Sequence, residues 1–283
     1  MSGPALLLLG LAVTGSAQTA SLLYAGLTIS AAAGGPVLGA LLDRSGHPGA
    51  LLAGALAGYA AGLAAVATTL GHLPAPVVVG VAVLTGFLAP SLSGGWTSRL
   101  PSVLPAARLS RGYALDAGTY SAAALAGPAL AGLVAASAGA GWAMAGVAAL
   151  LVLAVPAAWR LPRPQPAPAG QDSRAGLAAD LRSGFAAIVG TRRLLRITVC
   201  SVLSYLGFCM MVVACPLLGR DHLGAADRGA LLLSILAAAA LLASAAMSRW
   251  PPRLAPDTIF AAATALAGCA YVLLAWAPAA GWL

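Results

Sequence analysis

The sequence predicts an all-α, polytopic bundle of membrane-spanning helices, and two observations carry that prediction. Residues 1–42 hold no charged side chain, and the charges that follow come in clusters separated by apolar stretches of about one span each. A helix needs ~20 predominantly apolar residues to cross ~30 Å of hydrocarbon. The arginines, in turn, alternate from one connection to the next. Those near 43–49, 98–113, 160–196 and 249–257 hold Arg44; Arg99, Arg108 and Arg111; Arg160, Arg163, Arg174, Arg182, Arg192, Arg193 and Arg196; and Arg249 and Arg253. That is thirteen of the fifteen basic residues. The intervening connections, near 16–20, 71–76, 136–139 and 218–229, hold only Arg220 and Arg228, beside Asp221 and Asp227. Cytoplasmic loops carry the excess of basic residues. The alternation therefore predicts a multi-pass protein of the cell membrane with its N-terminus in the cytoplasm.

Nine candidate spans follow in order: 4–15, 21–42, 50–70, 77–97, 114–135, 140–159, 197–217, 230–248 and 258–277. A turn expected at Gly15-Ser16-Ala17-Gln18 leaves the first short of a full crossing. Two readings stand for it: the chain begins partway through its first helix, or the true start lies upstream. In the second span Gly35 and Gly39, and in the third Gly54, Gly58 and Gly62, are spaced by four and share a face. Small residues at this spacing let helix backbones approach closely in lipid, so tight packing is their expected role. Pro36, Pro90 and Pro128 fall inside spans, where neighbouring helices re-satisfy the freed backbone groups and a bend is expected.

The long polar segment 160–196 separates six spans from three. It opens with a Pro-rich, extended stretch, Leu161-Pro162-Arg163-Pro164-Gln165-Pro166-Ala167-Pro168. Beyond it, Leu177, Leu181, Phe185 and Ile188 recur at spacings of 4, 4 and 3, one face of an amphipathic helix. Asp172 or Ser173 is expected to cap its start and Gly190 its end. A helix on the cytoplasmic membrane surface, with Arg182, Arg192 and Arg193 toward lipid headgroups, is one reading; a solvated connector is the other. The predicted organisation is a six-helix bundle over 1–159 with a short first helix, a linker over 160–196, and a partial second bundle of three helices over 197–283.

Composition excludes several functions. Topology accounts for the net charge of +8, so nucleic acid is not an expected partner. His47, His72 and His222 fall in different connections, and no phosphate-binding loop is present for driving a pump with ATP. Cys200, Cys209, Cys215 and Cys269 lie in predicted spans without a CxxC pair and read as small apolar residues. No enzyme constellation, metal site or cofactor is expected.

The connection between spans two and three reads Gly39-Ala40-Leu41-Leu42-Asp43-Arg44-Ser45-Gly46-His47-Pro48. It resembles the G-x-x-x-D-R-x-G-R signature of the major facilitator superfamily, in the same place, with His47-Pro48-Gly49 where the family carries further basic residues. The resemblance implies a major facilitator fold, of which about nine of twelve transmembrane helices are present. It also implies that Gly39, Asp43, Arg44 and Gly46 form a conformational latch steadying the outward-facing state. The family's partner for the acid lies in the eleventh helix, beyond the nine spans counted here. In span five, Gly118 and then Ala126-Gly127-Pro128-Ala129-Leu130-Ala131-Gly132 resemble the helix-bending G-P-x-x-G-G element of the superfamily's exporters, with Ala131 in place of one glycine. Gly127, Pro128 and Gly132 carry that likeness. The arginine that many such exporters hold midway along the fourth helix has no counterpart between Val77 and Trp96. Arg99-Leu100-Pro101 and Arg111-Gly112-Tyr113-Ala114-Leu115-Asp116 resemble a group of actinobacterial members.

Ionisable groups deep in a bilayer are expensive, and mark function where they occur. Asp116, near the cytoplasmic end of span five, has two readings: an interfacial partner of Arg111 or Arg99, or a proton carrier. Tyr24, Thr28 and Tyr120 are the polar side chains expected to line a central cavity, which the lack of charge suits to a neutral or lipophilic solute. The leading expectation is a secondary transporter, an exporter coupled to an ion gradient, with H+ the expected ion. The alternatives are a truncated, non-transporting membrane protein and the membrane subunit of a larger assembly.

Overall fold

The computed structural model describes residues 2–162, 176–222, 238–247, 249 and 256–276. Among the described residues the regular structure is helical, with no strand. The chain runs through α1 (Ser2–Thr14), α2 (Ala17–Arg44), α3 (Pro48–Thr69) and α4 (Ala75–Gly86). A 3-10 turn (Ala89–Leu92) and two short helices, α5 (Gly94–Thr97) and α6 (Leu100–Val103), lead to α7 (Ala106–Ala138) and α8 (Ala140–Trp159). Beyond the linker lie α9 (Leu177–Gly190), α10 (Arg192–His222), α11 (Ala238–Met247) and α12 (Pro256–Trp276). Among the described residues, α2, α3, α7 and α8 are long and apolar enough to cross a membrane. The expected caps Asp172 and Ser173, and the first part of the predicted span 230–248, lie outside the described residues.

The boundaries follow from local chemistry. Gly15 takes φ 63°, a left-handed conformation suited to glycine, and Ser16 caps α2 by accepting the Thr19 N–H at 3.2 Å. The turn is therefore tighter than expected, and Ala17 and Gln18 already belong to α2. Pro48 opens α3 at its first position, where a missing N–H costs nothing.

The fourth predicted span, 77–97, requires correction. The apolar run does not form one helix: α4 stops at Gly86, after 12 residues. Pro90 has no N–H to give the carbonyl four residues back, which is that of Gly86, and its ring crowds the same position. The chain tightens into three-residue closures instead, Leu88 N–H to the Thr85 carbonyl at 3.0 Å and Ser91 N–H to the Leu88 carbonyl at 3.1 Å. The apolar count alone hid this break.

The chain falls into two compact units, Met1–Asp116 with Ala122–Leu181, and Ala117–Ser121 with Arg182–Leu283. In the first, α3 lies along α8, α2 along α4, and α1 against both α2 and α8. Leu6, Leu23, Leu56, Leu63, Val66 and Met144 are among the residues at the centre. Tyr59 is buried there, and its hydroxyl donates to Ser2 Oγ at 3.0 Å. Tyr59→Phe is expected to lower stability by about 1 kcal/mol, read as a lower melting temperature in detergent, because a half-buried hydrogen bond is lost without a cavity being opened.

Glycine lets the backbones of this unit meet, in a register one residue away from that expected in α2. A Cβ on Gly34 would strike the Phe87 backbone, and one on Gly86 the Leu27 carbonyl and the Ser30 hydroxyl. On α3, Gly62 faces Thr85 and Gly58 faces Leu88. Gly39 and Gly54 face open space, and Gly35 only touches the Pro90 ring, at 4.0 Å. On α8, Trp142 and Trp159 are 68% and 66% exposed and lie at the two ends of the helix, the positions that interfacial tryptophans take in a bilayer. In the second unit α10 packs on α12, and the rings of Tyr205 and Phe208 meet at a tilt, 6.1 Å between centroids.

Candidate functional site

Three features converge within the first unit: the end of α2, the α5–α6 turns and the start of α7. Residues Ser45-Gly46-His47 alone connect α2 to α3, with the His47 N–H on Ser45 Oγ at 3.1 Å. Asp43 sits in the last turn of α2, where the carbonyl-rich end of the helix disfavours an anion and a cation is needed. Arg99 supplies it. Its Nη2 donates to Asp43 Oδ1 at 3.0 Å. The pair is lopsided: the Arg99 side chain is 13% exposed, that of Asp43 79%. Arg99 Nε is buried without a hydrogen-bond partner, so the guanidinium depends the more on the bond it has.

Two residues earlier on the same turn, Thr97 Oγ1 donates to Asp116 Oδ2 at 2.7 Å. The break at Pro90 makes this possible, since it replaces the continuation of α4 by short turns that carry Thr97 toward α7 and Arg99 toward α2. The end of α2 and the start of α7 are thereby tied through one three-residue stretch, Thr97–Arg99.

The remaining sequence-selected residues lie elsewhere. Tyr24, half-exposed on α2, lies against Gly3 of α1. Thr28, one turn on, gives its hydroxyl proton to the Tyr24 carbonyl at 2.7 Å. Tyr120 is exposed on the part of α7 that belongs to the second unit. Along α7, Gly127 and Ala131 are buried, Pro128 is exposed inside the helix, and a Cβ on Gly132 would meet open space. Gly39 and Gly46 likewise have room around them. The sequence points to Arg99 only as a partner of Asp116, not of Asp43. The available signal was an arginine placed just before Pro101, at the end of an apolar run broken by Pro90 and Gly94-Gly95. Among the described residues no group of three His, Cys or Asp side chains is placed to hold a metal ion.

The family model of the Major Facilitator Superfamily matches residues 1–283. The chain belongs to the Major Facilitator Superfamily. This major facilitator protein is thus a membrane transporter with a helical bundle. No curated protein matches it. In this major facilitator chain Asp43 is paired from within its own unit, by Arg99.

Proposed function

We propose that this transporter exports a small neutral or lipophilic solute across the cell membrane by alternating access, driven by the proton gradient. The N-terminus lies in the cytoplasm, as the arginine alternation favours. One observation carries the reading of mechanism: the Asp43–Arg99 bond ties the α2–α3 connection to the turns that also hold Asp116. A latch of this kind steadies one conformer, and Asp43, Arg44, Gly39 and Gly46 make up its connection. Gly127, Pro128 and Gly132 are the point where α7 bends during transport in this reading, since Pro128 frees the carbonyl of Ala124. Asp116 is the proton carrier in this reading, placed where loss of its negative charge weakens its hold on the Thr97 hydroxyl. Tyr24, Thr28 and Tyr120 offer hydroxyls without net charge, which suits a solute that carries none.

Transport is tested in everted vesicles with a panel of neutral, lipophilic solutes. Accumulation that collapses on adding a protonophore is expected. Strong transport of an anionic solute, abolished by replacing a single arginine, would overturn the choice of substrate class. Asp116→Asn is expected to abolish proton-driven accumulation while downhill exchange continues. Full accumulation by this variant would remove Asp116 from the coupling path.

A further inference from the structure

The residues that follow the first six spans form a surface which the transport reading leaves unused. In α9, at about 100° per residue, Leu177, Leu181, Phe185 and Ile188 occupy an arc of about 80°. The positions of Arg182 and Asp180 flank that arc on opposite sides, each about 100° from its centre, so the helix separates them. Phe185, in the arc, and Val189, just beyond its edge on the Arg182 side, are 58% and 67% exposed on a helix of 14 residues. A single residue, Thr191, joins α9 to α10: its N–H bonds the Ala187 carbonyl at 3.0 Å, and its carbonyl accepts the Leu195 N–H at 2.9 Å. Directly after it come Arg192, Arg193 and Arg196, all exposed, with Leu194, Leu195 and Ile197 exposed between and beside them.

The charge balance at this junction is one-sided. Residues 160–196 hold seven arginines against Asp172 and Asp180. The first turn of α10 has no acid, so its cations add to the positive end of the helix instead of offsetting it. A surface with exposed aromatic and aliphatic groups beside several guanidinium groups matches one partner best. Phosphodiester headgroups complement the exposed positive charge, and the acyl chains beneath them cover the apolar arc. A soluble anion would leave Phe185 and Val189 in water.

We propose that α9 and the first turn of α10 form a docking surface for anionic phospholipids. Phe185 and Val189 seat among acyl chains, and Arg182, Arg192, Arg193 and Arg196 lie on headgroup phosphates. The surface fixes where the linker leaves the membrane and where α10 enters it. Placing it on the cytoplasmic leaflet rests on the topology proposed above; the choice of lipid does not.

The test uses the full chain in nanodiscs, which expose both faces, so that neither topology nor transport affects the result. Amide hydrogen exchange over residues 178–196 is compared in phosphatidylcholine alone and with phosphatidylglycerol added. Exchange is expected to slow by about tenfold with the anionic lipid, and high salt is expected to reverse much of the effect. The Arg182→Gln, Arg192→Gln, Arg193→Gln triple variant is expected to lose the difference. If that variant does not fold, the lipid and salt comparison on the unaltered chain decides alone. Equal exchange in the two lipids overturns the proposal. So does the same slowing produced by inorganic phosphate in phosphatidylcholine discs, which would identify a soluble anion as the ligand.

Discussion

Replacing Gly34 with valine is expected to destabilise the first unit by about 3 kcal/mol, the upper end of what overpacking costs. The reason is the character of the obstacle. A Cβ at Gly34 meets backbone atoms of Phe87, which cannot rotate aside as a side chain would. The same holds for Gly86, where the Leu27 carbonyl stands in the way. Relief would require α2 and α4 to separate along their whole contact, exposing Gly26 and Val83 as well. Gly54→Ala supplies the contrast. Its Cβ enters open space, and replacing a mid-helix glycine by alanine is expected to raise stability by roughly 0.5–1 kcal/mol. Thermal unfolding of both variants in the same detergent checks the pair of expectations. Equal melting temperatures for Gly34→Val and the unaltered protein would show that the α2–α4 contact is not close in the folded protein.

Asp43→Ala is expected to shift the conformational equilibrium about fivefold away from the latched conformer, with little change in melting temperature. An ion pair with one exposed partner contributes about 1 kcal/mol or less, which matters little to unfolding but moves a balanced two-state equilibrium several-fold. Arg99→Ala is expected to do more, because its stem is packed and its loss also frees the α5–α6 turn. In the Arg99→Ala background, adding Asp43→Ala is expected to do nothing further, since the two act through one bond. Cysteine accessibility measured from each side of the membrane reports the equilibrium. An Asp43→Ala protein with unchanged accessibility would end the latch reading, and additive effects of the two substitutions would assign them separate roles.

Much of the architecture was legible because a bilayer imposes simple arithmetic. The run 140–159 is α8 to the residue, and α3 departs from its expected bounds by two residues at one end and one at the other. The amphipathic spacing around Phe185 likewise gave α9. Apolar counting failed at 77–97, because an apolar run bounds where a helix is allowed and not whether hydrogen bonding continues through Pro90. The packing register of α2 was one residue out for a related reason. Gly34, Gly35 and Gly39 look alike as letters, and only the position of α4 decides which of them meets a backbone. The partner of Asp43 was hidden altogether. Arg99 lies 56 residues away, and the turn that delivers it exists only because the apolar run is broken.

The two tryptophans of α8 give the membrane a part in this protein's energetics. Seventeen residues of helix separate Trp142 from Trp159, which is about 25 Å at 1.5 Å per residue, somewhat less than the ~30 Å of an average hydrocarbon layer. A short gauge of this kind has no slack for leaning, since inclination only reduces its projection on the membrane normal. Lipids around it must thin to meet both rings, and any movement that inclines α8 must thin them further. Acyl-chain length therefore acts on the conformational balance of the protein as a ligand would, favouring upright arrangements in thick bilayers and releasing inclined ones in thin bilayers.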